Sequence, residues 1–195
     1  MSRSRSSSKS QRKPRAARVL RKRILVVTEG KLTEPQYVES LQAHLRSADS
    51  TTIVRTVGVG KDPVSVVREA LRLRDQRGGY DVCVALVDVD SHARLAEACA
   101  LACHHNVLLL ISRVKFEVWL RWHVEGKTSP LNSGQLDRLM REHNVLDGKR
   151  LHPAFPIEYV AQACATARRA WPELRAGAVG PDPSSALPLL VELMQ

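Results

Sequence analysis

The chain has no unbroken run of 18 apolar residues, so no membrane-spanning helix is expected. Its basic N-terminus has no apolar stretch behind it. Arg18-Val19-Leu20-Arg21 is cut short at once, which argues against an export signal and for a cytoplasmic protein. There are four cysteines, Cys83, Cys99, Cys103 and Cys164, and no CxxC pair among them. Cys99 and Cys103 lack a second pair at finger-like spacing, which excludes a disulfide framework and a zinc finger in favour of buried reduced thiols. No P-loop is present. Gly58-Val59-Gly60 lacks the third glycine of a dinucleotide fingerprint and does not follow the first strand. No internal repeat is found.

What is there is a globular chain of 195 residues, 44% of them hydrophobic, enough for one domain and a tail. The charge is uneven. Residues 1–23 carry ten basic side chains and no acid, while the remaining 20 basic residues balance all 20 acidic ones. The formal charge of +10 therefore belongs to this leading stretch. Residues 1–22, rich in Ser, Arg and Lys, cannot bury enough apolar surface to offset the entropy of ordering, and are expected to be disordered. Such an arm attracts phosphate backbones without reading sequence. Arg12, Lys13, Arg15, Arg18, Arg21 and Lys22, with Lys31 beyond them, are the candidate nucleic-acid contacts.

From Arg23 onward strands and helices alternate. Arg23–Thr28, Thr51–Val57, Val82–Val87 and Val107–Ile111 read as strands, the first, third and fourth as continuous apolar runs suited to burial on both faces. Helices are expected from Thr33 through Leu45, after Asp62-Pro63, from Ala93 to His104, and over Phe116–His123. Four β–α steps in succession imply a mostly parallel four-stranded sheet with flanking helices. Beyond residue 125 the pattern is a helical extension: a polar helix over Gly134–Asn144, a turn at Asp147–Arg150, a helix over Pro156–Trp171, and a last helix begun by Ser184 and Ser185. The expected division is a tail at 1–22, an α/β core at 23–125 and a helical extension packed on it at 126–195.

Ligands of open α/β sheets bind beyond the carboxyl ends of the strands. There strand one ends in Glu29 and strand three in Asp88-Val89-Asp90. Nothing in the apolar pattern requires acids at those positions. Three converging carboxylates repel one another, and a divalent cation with oxygen preference, Mg²⁺ or Mn²⁺, relieves that repulsion. A metal so held suits phosphodiester chemistry. Asp88 and Asp90 are the candidate ligands, and Glu29 completes the shell or handles a proton. Secondary candidates are Glu34, which also reads as a first-turn helix carboxylate; His92, a proton donor or a loop histidine; and Glu117, a further ligand or the i,i+4 partner of Arg121. Trp119 and Trp122 read as core. A phosphatase of haloacid-dehalogenase type carries its DxD on the first strand, which does not match this order.

These residues resemble a family. Glu29-Gly30-Lys31-Leu32-Thr33-Glu34 is similar to the EGxxTE opening of RloB-like proteins, Asp88-Val89-Asp90 to their strand-end DxD, and Ser112–His123 to their SNPxFExWLLLHF segment. Asp182–Val191 resembles their closing NPST stretch. One departure is clear: the family's SNP reads Ser112-Arg113-Val114 here. The resemblance implies a Toprim-like, Rossmann-like fold in which Glu29 is a general acid/base or metal-linked carboxylate and Asp88 and Asp90 bind Mg²⁺. It further implies a nuclease of antiphage defence or abortive infection, working with an ABC- or AAA-type ATPase from a neighbouring gene. The alternative is a non-catalytic module that binds such an ATPase or a nucleic acid.

Overall fold

A computed structural model describes residues 22–46, 52–89 and 94–195. The expected basic arm, except Lys22, and the candidates Asp90 and His92 lie outside the described residues.

The order of elements is β1 (Arg23–Thr28), α1 (Thr33–Leu45), β2 (Ile53–Gly58), α2 (Pro63–Arg77), β3 (Val82–Asp88), α3 (Leu95–His104), β4 (Leu108–Arg113) and α4 (Glu117–Val124). There follow α5 (Ser133–Glu142), a small hairpin of β5 (Leu146–Asp147) and β6 (Arg150–Leu151), α6 (Val160–Ala170), β7 (Ser184–Ser185) and α7 (Pro188–Met194). The main sheet has the order β2-β1-β3-β4-β7. Its first four strands are parallel, and β7 adds a short antiparallel edge. The fold is α/β and Rossmann-like, as expected, with one strand more. Ser184 and Ser185 pair with Arg113 and Ser112 instead of opening the last helix. Pro188 is the first residue of α7, where its missing N–H costs nothing.

Two hydrophobic layers sandwich the sheet, sorted by the two-residue period of the strands. Ile24, Val26, Val84, Leu86 and Leu110 face one layer with α1, α4, α5, α6 and α7. Leu25, Val27, Ala85, Val87, Leu109 and Ile111 face the other, covered by α2 and α3. The C-terminal helices thus share one core with α1 and α4. Asp62 caps α2, its carboxylate accepting from the Ser65 backbone N–H, and Asn132 caps α5 in a reciprocal box with Gln135. The four cysteines are free, but of the expected buried thiols only Cys83 is buried; Cys99 and Cys164 are half-buried and Cys103 is exposed.

One knot in the first layer positions what lies above it. Tyr37 of α1 meets Phe116, Trp119, His123 and Phe155 edge-on, at ring-centroid distances of 5.6, 6.2, 5.6 and 6.0 Å. His123 lies 3.3 Å through Nδ1 from the Pro156 carbonyl and 3.2 Å through Nε2 from the Tyr37 hydroxyl. A carbonyl only accepts, so Nδ1 carries the proton, and Nε2 accepts from Tyr37. Burial lowers the His123 pKa to about 4, which keeps this arrangement neutral. Trp119 and Trp122 are fully buried, in keeping with a core role. No helix among the described residues is long and apolar enough to cross a membrane.

Candidate active site

The strand order reverses at β1, which has β2 on one side and β3 on the other. That makes the carboxyl ends of β1 and β3 the topological switch point, where open α/β sheets bind ligands. Glu29 directly follows β1 and Asp88 ends β3, and they meet there. Glu29 Oε2 accepts from the Asp88 backbone N–H at 3.2 Å, and the Glu29 N–H donates to the Leu86 carbonyl at 3.0 Å. The carboxylate of one strand is thereby locked to the last peptide of the next.

The Glu29–Glu34 segment folds over this rim for reasons that its residue types make plain. The Thr28 hydroxyl donates to the Gly30 carbonyl at 2.7 Å and tightens the exit from β1. The Gly30 N–H donates to Glu34 Oε1 at 2.9 Å. A Cβ on Gly30 would lie within 1.9 Å of the Glu34 carboxylate, so the glycine makes room for the glutamate. Glu34 is in the first turn of α1, as expected, yet its carboxylate is turned back over the rim and is only 8% exposed. Gly58 and Gly60 have a related task. A Cβ on Gly58 would strike the Gly30 carbonyl at 2.6 Å. Gly60, at φ +68°, leaves room for the Lys31 stem, which a Cβ would meet at 2.2 Å. The Gly-Val-Gly run thus serves close packing against the Glu29–Glu34 segment.

The electrostatics mark the rim as crowded. Burial pushes the Asp88 carboxyl well above the ordinary range, the charges of Glu34, Glu117 and Glu29 push it further, and the Phe116 backbone N–H at the start of α4 pulls it part of the way back. Burial likewise raises Glu34, against the pull of its own and the Gly30 N–H groups, with Glu117 and Glu29 adding to the rise. Glu117 therefore belongs to this cluster, brought there by the N-terminus of α4. Arg121, its expected i,i+4 partner, extends to Glu125 at 2.5 Å and to the Ser129 carbonyl at 2.7 Å.

Two adjoining cavities open on the rim. The smaller, about 460 Å³, is lined by Glu29, Gly30, Glu34, Gly60, Lys61, Asp62 and Asp88. The larger, about 800 Å³, shares Gly30, Glu34 and Gly60 with it and adds Glu117, Lys31, Lys115 and Lys149 among others. The β5–β6 hairpin is moored beside it. The Thr33 hydroxyl donates to the Lys149 carbonyl at 2.9 Å, and Gln36 accepts from the Leu151 N–H at 2.9 Å. Lys115 and Lys149 had no signal of this kind in the sequence. One sits in the altered Ser112–Glu117 loop, the other in a turn that returns to the rim only through the fold.

Of the expected site residues, Glu29, Glu34, Asp88 and Glu117 come together, and Lys31 borders them. Lys22 does not. It stands at the start of β1, roughly 20 Å along a six-residue strand from Glu29, and donates to the Leu193 carbonyl at 2.8 Å. No group of three or more His, Cys, Asp or Glu side chains that could hold a metal ion is found among the described residues. Mg²⁺, however, keeps several waters and is commonly held by one or two carboxylates with substrate phosphates. Asp88 with Glu29 or Glu34, all oxygen donors crowded by like charge, fits that demand. The family model for RloB-like protein matches residues 24–194. Comparison with curated proteins and with solved structures finds no match.

Proposed function

We propose that this chain, which belongs to the RloB-like family, is a metal-dependent phosphodiesterase of Toprim type that hydrolyses DNA or RNA. The observation that carries the reading is the carboxylate rim at the switch point, where Asp88 lies under the charges of Glu34, Glu117 and Glu29. A protein that crowds acids this way loses stability unless something cationic comes to them. Bound Mg²⁺ or Mn²⁺ would neutralise charge on the phosphodiester and its leaving oxygen. Asp88 and, beyond the described residues, Asp90 are the ligands in this reading, with Glu34 and Glu117 as supporting carboxylates.

Glu29 is the proton-handling group. Its Oε2 is fixed by the Asp88 N–H, which holds the carboxylate in one orientation at the rim, where in this reading it takes a proton from an attacking water. Lys31, bordering the same rim, sets the phosphate by charge. The same reading assigns the protein to antiphage defence in the cytoplasm, with an ABC- or AAA-type ATPase as partner and with the basic arm Arg12–Lys22 holding nucleic acid.

The test is incubation of the purified full chain with plasmid and with tRNA, in Mg²⁺, Mn²⁺ or EDTA. Cleavage that needs the metal and is lost in Asp88→Ala and Glu29→Ala is expected. Cleavage intact in both variants would refute it. A chain that never cleaves but still captures the ATPase with those acids replaced would be the binding module instead.

A further inference from the structure

The two cavities share the Gly30–Glu34–Gly60 seam but differ in what surrounds it. The smaller is bordered by Glu29, Asp62 and Asp88 with one lysine, Lys61. The larger holds Glu34, Glu117 and Asp137 together with three lysines drawn from three separate places in the fold: the β1–α1 loop, the approach to α4, and the tip of the β5–β6 hairpin. Lys31 and Lys149 are positioned by contacts outside their charge, and Lys115 by an ion pair. The Lys31 stem lies across Gly60. Lys115 is mostly buried and pairs with Asp137 of α5 at 2.5 Å. The backbone of Lys149 is pinned by Thr33 at 2.9 Å.

The larger cavity, about 800 Å³, has the size of a small-ligand pocket, and no aromatic side chain among the described residues lines it. A duplex does not enter a space of that size, whereas a few nucleotides of one strand do. Without an aromatic ring there is no stacking platform for bases, so attraction must come through phosphates.

We propose that the larger cavity seats a single polynucleotide strand, held through its phosphates by Lys31, Lys115 and Lys149, with the β5–β6 hairpin as its outer wall. The proposal rests on the phosphodiesterase reading and deepens it. The strand passes over the Gly30–Glu34–Gly60 seam, which brings one phosphate from the lysine side to Glu29 and Asp88. Recognition is then tolerant of base identity and selective for unpaired segments. Lys115 exchanges Asp137 for a phosphate when the strand arrives.

Binding in EDTA separates this proposal from catalysis. Fluorescence anisotropy of the full chain is measured with labelled oligo-dT, oligo-U and a DNA duplex of equal length, over a salt series. The double variant Lys115→Gln/Lys149→Gln is expected to lose roughly tenfold in single-strand affinity at physiological salt, and its salt slope is expected to fall by about 1.4, or ~0.7 per phosphate contact. Duplex binding, carried by the basic arm, stays as it was. Lys149→Arg keeps the slope, and Asp137→Asn keeps or improves single-strand affinity, since Lys115 retains its charge. An unchanged single-strand slope in the double variant overturns the proposal, as does a duplex that weakens in step. A loss in Asp137→Asn equal to that in Lys115→Gln overturns the role of Lys115 and leaves an ion pair of structural kind. Lysine-dependent strand binding in a protein that never cleaves would sink the catalytic reading alone. The oligo-dT and oligo-U arms tell a DNA-directed site from an RNA-directed one.

Discussion

The acid rim and the aromatic knot beneath it are built from the same two helices, three residues apart on α1 and two apart on α4, and they obey opposite rules. Glu34 and Glu117 serve the rim, where like charges raise one another's pKa values. Tyr37 and Trp119 serve the knot, where rings meet edge-on and His123 finds a partner for each ring nitrogen. A folded chain rarely leaves crowded carboxylates in place without a use for them. The difference shows where stability is made and where it is surrendered: the knot and the two hydrophobic layers hold α1 and α4 rigid enough to keep the rim crowded.

That contrast can be broken from either side. The largest effect is expected on chemistry. Glu29→Gln should reduce cleavage on the order of 10³-fold, the range lost with a positioned acid/base, while circular dichroism and Tm stay close to those of the parent chain. A parallel collapse of the fold would make Glu29 structural. Next comes the knot. Trp119→Ala removes a fully buried indole and should cost about 3–5 kcal/mol, read as a lower midpoint in urea. A loss below ~1 kcal/mol would show that the rim does not depend on the knot.

The two regions should also respond to acid with opposite sign. His123 has a pKa lowered from 6.5 to about 4, so its folded form is the neutral one. Its contribution is present above its unfolded pKa and is lost as pH falls from about 6.5 toward 4, roughly 3 kcal/mol in all. The carboxyls of Asp88 and Glu34 are raised, so the fold binds those protons more tightly than the unfolded chain does. Acidification therefore relieves the rim while it works against His123. Asp88→Asn should reduce that gain and leave the loss at His123 unchanged. The same substitution gives the smallest effect, a rise in stability at neutral pH of roughly 1 kcal/mol, about 2–4 °C in Tm at this chain length. A fall in Tm would mean that the Phe116 N–H contact outweighs the repulsion at Asp88.

Much of the fold was legible because the cues were local. Apolar runs marked β1, β3 and β4, and Asp62-Pro63 marked the start of α2. β7 was not legible. Two serines have no strand signature, and they pair with β4 only because the C-terminal helices bring them there, the Ser112 and Ser185 hydroxyls meeting at 3.0 Å. At the site, Glu29 and Asp88 could be read from their places at strand ends. The turning of Glu34 over Gly30 could not, since a first-turn carboxylate is equally at home facing solvent. Lys115 and Lys149 were invisible for the same reason as β7. Lys149 depends on a hairpin moored by Thr33 and Gln36 across more than a hundred residues of chain, and Lys115 on Asp137 of α5, contacts no local pattern encodes.

The most direct measurement of the central claim is a Mn²⁺ titration followed by electron paramagnetic resonance, in which the signal of free ion disappears on binding. The full chain should take up Mn²⁺ at the rim in competition with Mg²⁺, and Asp88→Asn should lose that uptake while remaining folded. Equal uptake by Asp88→Asn, or none by the parent chain at millimolar Mn²⁺, would contradict it.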